Sequence, residues 1–520
     1  MLLAFIPMYF IAIAYQELNK AEPDCGTTFT WAARAFGPKT GWLGGWGIIA
    51  ADVIVMANLA QVAGSYSYTF VAEVGGLLGQ DWTGVGDLAD STFWSTVAGV
   101  IWIAVMTYIC YRGIEVSARL QYALLGIEVV VLVVFAVTAL VKVYSGTAEE
   151  YSLTPSLGWL IPTDLPFGSV LAPALLIAFF IYWGWDTAVT CNEESDDPGK
   201  TPGRAAVIST LLLLATYALV SIAAVAFAGV GEEGVGLGNP ENSADVFAAI
   251  GPDLFGDSAL GKAGLILLAA SILTSASAST QTTILPTART ALSMGVFRAL
   301  PHKFSRIHPR YLTPTWSTVG MGIISTVFYV LFTLISPNLL MALIGSVGLM
   351  IAFYYGLTGF VCVWFYRKTF TRTVRDLFMQ GIIPLLGGLI MLATFAYGLI
   401  TFLGPDYLTD DEDNPITIFG YGAVGVVGLL ALALGLVLMF AWMMVHPDYF
   451  RGETLPKRAA HDLVLAGPHT DHTSVRLPDS GLPELVIAPD LSNLPPGQHA
   501  IDLTSHDIVD KPEDGGARPV

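Results

Sequence analysis

The sequence predicts an all-α polytopic membrane protein, and three observations carry that prediction. Of 520 residues, 54% are hydrophobic and 13% charged, where a soluble domain carries about 25% charged residues. The mean hydropathy is +0.63, and the apolar residues gather in runs of roughly the 20 residues that a helix needs to cross a bilayer. Between those runs, Lys and Arg fall in every second loop.

Eleven spans follow along the chain, at about 1–15, 42–70, 93–111, 118–143, 168–191, 205–230, 260–297, 316–336, 339–366, 381–403 and 417–445. The first is short for a crossing. The fifth contains Pro173 and Gly184, both of which loosen a helix. The seventh is too long for one crossing, so its far end is expected to continue as a helix along the cytosolic surface. No linker before residue 446 is long or polar enough to hold a second domain. Residues 1–445 are therefore read as one transmembrane domain. Residues 446–520 are rich in Pro, Asp and His and lack helical periodicity. They are expected to form a disordered cytoplasmic tail.

Positive charge favours the cytosolic side. Lys and Arg occupy the loops 16–41, 112–117, 192–204, 298–315 and 367–380 and the opening of the tail. The alternate loops, 71–92, 144–167, 231–259, 337–338 and 404–416, contain none. This places the tail in the cytoplasm of a cell that carries the protein in its plasma membrane. It also puts Cys25, Cys110, Cys191 and Cys362 on or near a side where thiols stay reduced, so no disulfide is expected. Met1 falls on the outer face, behind a short span with no positive flank. One helix upstream is accordingly expected to be absent from the sequence; a genuine eleven-span protein is the alternative.

The charge balance excludes some functions. The formal charge of −18, from 24 basic and 42 acidic residues, is no nucleic-acid footprint. There is no C-x-x-C pair. All eight histidines lie outside the spans, which excludes a histidine proton relay in the membrane. His469 and His472 have a metal-like spacing, but two ligands in a polar tail define no metal site. No nucleophile–base pair, phosphate loop or nucleotide fingerprint stands in a polar stretch large enough to house it. The chain reads as no enzyme and as needing no cofactor. ATP-driven transport would require a further domain, whereas a secondary carrier needs only the spans.

Ionisable groups inside a bilayer are costly and mark function by default. Asp52 lies about ten residues into the second span, roughly 15 Å deep at 1.5 Å per residue. Glu128 is about as deep in the fourth span, and Asp186 lies in the cytosolic half of the fifth. No Lys or Arg stands at comparable depth. These carboxylates could exchange protons near neutral pH; the alternative is a neutral carboxyl bonded to a carbonyl or a hydroxyl. Asp186 closes the run Tyr182-Trp183-Gly184-Trp185-Asp186. Glycine there permits a break that exposes backbone to a midplane substrate, or else it lets two helices approach closely. The seventh span carries Ser271, Thr274, Ser275, Ser277, Ser279 and Thr280. Such hydroxyls serve close helix packing or ligate a cation or a substrate carboxylate. Arg289, beyond them, reads as a gate or topology residue.

Four stretches together resemble an amino acid permease of the amino acid–polyamine–organocation superfamily, over about residues 1–445. They are Glu17-Leu18 with Glu22-Pro23-Asp24-Cys25-Gly26-Thr27, Ala35-Phe36-Gly37-Pro38 and Gly41-Trp42; Tyr182 to Glu194; Pro286 to Pro314, with Arg289, Pro301, Phe304 and His308; and the final pair of spans. The resemblance implies a five-plus-five inverted repeat with two extra C-terminal helices, eleven of twelve planned spans being present. It places substrate between the broken first and sixth helices, with the third, eighth and tenth completing the cavity. It nominates Tyr182, Trp183, Gly184, Trp185 and Asp186 from the sixth, Asn58 from the third, and Ser275 and Ser277 from the eighth. Glu128 is similar in placement to a fifth-helix residue that couples protons in some relatives, many of which carry Lys there. Two departures stand out. The family's glycine-broken first helix has no counterpart, and Cys25-Gly26-Thr27 replaces a small residue and paired glycines.

The expected function is secondary active uptake of amino acids, as proton symport by alternating access. Substrate, protons and the lipid bilayer are the expected partners. Glu128, Asp186 and Asp52 are the candidate proton-coupling groups. The alternatives are a polyamine or organocation exchanger, a non-transporting sensor or subunit using its acidic tail, and an inactive truncated fragment.

Overall fold

Apolar periodicity without charge turns each long run into a helix. In a computed structural model, residues 1–160, 166, 170–242, 245–256, 258–335, 337–409, 414–459, 499–501 and 508–510 are described. The chain divides into two units, Met1–Leu465 and Ala466–Val520. The first unit opens with α1 (Leu2–Ala21) and α2 (Thr28–Phe36). Then come α3 (Pro38–Leu77), α4 (Thr92–Tyr111) and α5 (Ile114–Ser145). The short α6 (Ala172–Ile181) and α7 (Thr187–Thr190) follow. Next are α8 (Thr201–Ala228), α9 (Val246–Phe255) and α10 (Ala259–Val296). The unit continues with α11 (Thr315–Ile335), α12 (Pro337–Phe365) and α13 (Ile383–Phe402). A two-stranded ribbon, β1 (Thr417–Ile418) and β2 (Tyr421–Gly422), precedes α14 (Ala423–Val445) and α15 (Pro447–Phe450). In the second unit, β3 (His499–Ile501) and β4 (Ile508–Asp510) pair antiparallel.

Among the described residues, ten helices are long and apolar enough to cross a membrane. The remaining expected span, 168–191, is the interrupted pair α6–α7. The ends of the helices define a basic face, where the Lys- and Arg-bearing loops lie, and an acidic face opposite. The main core gathers α1, α3 and α12 around Tyr15, Trp31, Ile54, Met56, Tyr354 and Tyr355, all buried. A second cluster joins α5, α8, α9 and α10 near the acidic face, around Phe135, Phe227 and Leu254.

Small residues set the tightest helix contact. A Cβ on Gly64 of α3 would lie 2.1 Å from the Ser95 carbonyl oxygen, and one on Gly99 of α4 would lie 2.5 Å from that of Ala60. The two backbones therefore meet directly, as small-residue packing in membranes requires. Gln61 bridges the same contact, donating to Ser95 Oγ at 2.9 Å and accepting the Tyr329 hydroxyl of α11 at 2.5 Å.

The structure departs from the sequence reading at three elements. The far end of the seventh span does continue as helix, but it does not lie on the surface. From Thr283 to Gly295 every residue of α10 is buried, because α2 and α3 enclose this stretch and its buried Arg289 is paired. The loop 231–259 contains α9, whose apolar face packs into the second cluster. Residues 447–459, in the segment read as tail, open by packing on the helical unit. The Tyr449 hydroxyl donates to the Pro38 carbonyl at 2.8 Å, and Arg34 to that of Pro456 at 3.1 Å. Residues 410–413, in the loop 404–416 that carries no Lys or Arg, lie outside the described residues.

Candidate functional site

The fifth span breaks at the glycine between two tryptophans. α6 ends at Ile181 and α7 begins at Thr187. Gly184 adopts φ +102°, a conformation that glycine alone takes freely. A Cβ placed on it would meet nothing within 4 Å. The path of the backbone, and not a close helix contact, therefore demands the glycine. Ending a helix frees carbonyls that need donors. The Tyr217 hydroxyl of α8 donates to the Ile181 carbonyl at 2.6 Å. On the other side of the break, Thr187 donates to the Thr282 carbonyl of α10 at 3.2 Å.

Beside the break lies a cavity of about 580 Å³. Three carboxylates line it: Asp52 of α3, Glu128 of α5 and Asp186 of the interruption. Each accepts a hydroxyl. Thr287 Oγ1 donates to Asp52 Oδ2 at 2.5 Å, Ser275 Oγ to Glu128 Oε1 at 3.1 Å, and the Tyr354 hydroxyl to Asp186 Oδ2 at 3.2 Å. Tyr354 in turn accepts the Trp183 indole N–H. Asp52 and Asp186 are 2% and 4% exposed. Among the described residues, no Lys, Arg or His side chain lines the cavity. Burying a charge is costly unless it is paired, so this wall favours protons or a cationic group within it.

The sequence nominations divide according to helix geometry. Trp183, Gly184, Asp186 and Ser275 line the cavity; Tyr182, Trp185, Asn58 and Ser277 do not. On α3 the lining positions Ile48, Asp52, Val55, Leu59 and Val62 recur every three or four residues. Asn58, one residue before Leu59, is turned away by about 100°. On α10 the lining hydroxyls Ser271, Ser275, Ser279 and Thr282 share one face, and Ser277 sits on the opposite one. Tyr182 packs edge-on against Tyr217 with ring centroids 5.4 Å apart. Trp185 lies against Tyr15 and Tyr355 at 5.1 and 5.0 Å. Consecutive residues of a turn point to different sides, so the whole motif cannot face one space. Sequence reasoning missed Thr287, Tyr354 and Tyr217. The three-to-four-residue recurrence of hydroxyls on α10, extended past Ser279, was the available signal for Thr287.

Towards the basic face the cavity ends on a packed polar layer. Pro286 is the last lining residue of α10 on that side. One turn further, the buried Arg289 donates from Nη2 to both Glu194 oxygens at 2.8 and 2.9 Å. The Cys25 amide donates to Glu193 Oε1 at 3.0 Å, and its thiol to the Arg289 carbonyl at 3.4 Å. Asp24 Oδ1 accepts the Gly26 amide and the Thr30 and Ser293 hydroxyls at 2.7, 2.7 and 2.8 Å. Asn192 donates to Asn19 at 2.7 Å. These bonds tie the α1–α2 turn, the exit from α7 and the end of α10 into one layer. Burial, with the carboxylates of Glu193 and Asp24 alongside, pushes the Cys25 thiol well above its ordinary pKa.

The chain is thus a bundle of membrane-length helices around a cavity that three carboxylates enter, with one helix broken beside it. Comparison with known families makes this particular: a family model described as amino acid permease matches residues 1–426, and the chain belongs to that family. An uncharacterized transporter of Mycobacterium tuberculosis is 26% identical over 322 residues, 61% of this chain and 62% of that protein. The vacuolar cationic amino acid transporter 4 of Arabidopsis thaliana is 27% identical over 325 residues, 60% of this chain and 49% of that protein. The match thus spans about half to three fifths of the length of these relatives. The solved structure of MhsT in complex with L-phenylalanine superposes with a TM-score of 0.51 at 14% identity, covering 75% of this chain and 89% of that one. That likeness shows the all-α polytopic fold alone.

Proposed function

We propose that this chain carries amino acids across the plasma membrane by secondary transport, coupled to protons and driven through alternating access. One observation carries the reading: Asp52, Glu128 and Asp186 line a single cavity at a helix break, with no basic side chain on its wall among the described residues. Gly184 lets the two half-helices swing separately. The Asp186 carboxylate pairs with the substrate's ammonium, held in position by Tyr354 and Trp183. Glu128 and Asp52, each bonded by a hydroxyl, hold and release the protons. Opening to the basic face, which the charge bias assigns to the cytosol, requires parting Arg289 from Glu194 and Cys25 from Glu193. The 446–520 segment then belongs to the cytoplasm.

Uptake of labelled amino acids into proteoliposomes, with and without an inward proton gradient, tests this. Gradient-driven accumulation that is lost in Glu128→Gln supports the coupling. Accumulation that ignores both the gradient and the substitution removes it.

A second reading, exchange of a polyamine or another organic cation, is favoured by the same three carboxylates. Competition distinguishes the two: a neutral amino acid displaces a bound cation under the first reading and fails to under the second.

A further inference from the structure

A separate, apolar hollow of about 470 Å³ lies between α4 and α11 and shares no lining residue with the carboxylate cavity. Val100, Ile103, Ala104 and Thr107 form one wall, and Val319, Gly322, Ile323 and Thr326 form the other. It faces outward. Ile101, Val105, Ile323, Ile324 and Val327 around it are all exposed, which in a membrane-spanning unit means exposed to lipid. Gly322 lets α11 approach here, since a Cβ on it would come 2.4 Å from Thr107 Oγ1. That Thr107 hydroxyl is buried and has no hydrogen-bond partner.

The length of the hollow is informative. From Val100 to Tyr111 the lining of α4 rises roughly 17 Å at 1.5 Å per residue. That is about half of the ~30 Å hydrocarbon core, or one leaflet. The hollow ends at the basic face in a group of cations on aromatic rings. The Arg112 guanidinium lies 5.1 Å from the centre of the Tyr311 ring, and that of Arg310 lies 5.6 Å from the same ring. Arg112 also donates to the Tyr108 hydroxyl at 2.8 Å. Lys303 lies 5.4 Å from the Trp316 ring. Among the described residues, none of Arg112, Lys303, Arg306 and Arg310 has a carboxylate within 4 Å. Loop 298–315 contains no Asp or Glu at all. Guanidinium groups pair with phosphate bidentately, and unpaired basic residues beside a membrane helix attract anionic lipid.

We propose that the α4–α11 hollow is a binding site for an anionic phospholipid of the leaflet on the basic side. One acyl chain fills the hollow, and the phosphate lies between Arg112 and Arg310. Charge complementarity at the mouth and a one-leaflet depth together select lipid over a second copy of the chain, whose helix would present no phosphate.

The test uses the purified full chain, delipidated in detergent and titrated with phosphatidylglycerol or phosphatidylcholine, with retained lipid counted by native mass spectrometry. Phosphatidylglycerol is expected to be retained about tenfold more tightly, the span of one charge-assisted pairing. Ala104→Phe, which fills an exposed part of the hollow, removes retention of both lipids. The pair Arg112→Ala and Arg310→Ala abolishes only the preference for the anionic lipid, and so separates headgroup from chain. Equal retention of the two lipids, or retention unchanged by Ala104→Phe, overturns the proposal. Inorganic phosphate that blocks phosphatidylglycerol as well as the lipid itself would reduce the site to an anion site. Cross-linking of Ala104→Cys to a second copy in nanodiscs would make it a protein interface.

Discussion

Replacing Gly184 by alanine separates backbone path from packing. No atom blocks the new Cβ, so the penalty is the left-handed backbone alone, about 1–2 kcal/mol. A modest fall in melting temperature is expected, together with a larger fall in uptake rate, because the hinge stiffens. Wild-type uptake in Gly184→Ala would place the hinge elsewhere. The acidic residues were legible in the sequence because a carboxylate in an apolar run announces itself. Their partners were not. Asp52 takes its hydroxyl from Thr287 and Asp186 takes one from Tyr354, across 235 and 168 residues of chain, and no local pattern encodes which helix arrives beside which. For Asn58 and Ser277 the residue type suits a site, and the helix phase turns both away from this cavity. Phase was readable in principle, since the carboxylates themselves fix which face of α3 and α5 turns inward.

Among the elements, the layer at the basic face ties the α1–α2 turn, α7 and α10 together, and on the proposed mechanism it must part for the cavity to open there. Arg289 is buried while its partner Glu194 is a quarter exposed, so removing the arginine strips two charge-assisted hydrogen bonds from a carboxylate that water can reach, at a cost of about 1–3 kcal/mol. Arg289→Ala is therefore expected to loosen this layer more than any surface substitution. Cys25 reports on it directly. Buried, and with its thiol pKa raised, it is expected to resist alkylation by a maleimide at neutral pH in a Cys191→Ser background. Arg289→Ala should speed its modification about tenfold or more; equal rates would show that the pair does not hold the layer shut. At the α3–α4 crossing, Gly64→Val forces a side chain into the Ser95 backbone. The expected loss is 1–3 kcal/mol or more, read as reduced recovery of folded protein from membranes. The break between α6 and α7 was legible because glycine carries backbone meaning by itself; Pro173, expected to loosen the same span, instead stands in the first turn of α6, where a proline is tolerated. The enclosure of α10 was not, since the length of a helix says nothing about which neighbours cover its end. The small helix α9 escaped notice because ten residues fall short of a membrane crossing.

For the whole molecule, the alternation of basic and acidic loops orders the spans, and the apolar arithmetic counts them. Composition could supply both because the bilayer punishes every exception. What composition could not supply is the meeting of three distant carboxylates on one cavity. That meeting carries the functional account, since three carboxylates in a low-dielectric space favour protons or a cationic group. Accumulation of a labelled amino acid by proteoliposomes holding the full chain, with an inward proton gradient imposed, tests this most directly when Asp186→Asn and Glu128→Gln are compared with the unaltered protein. The account predicts gradient-driven uptake that Asp186→Asn abolishes, and that Glu128→Gln converts into gradient-independent equilibration. Uptake that proceeds unchanged in both variants would contradict it.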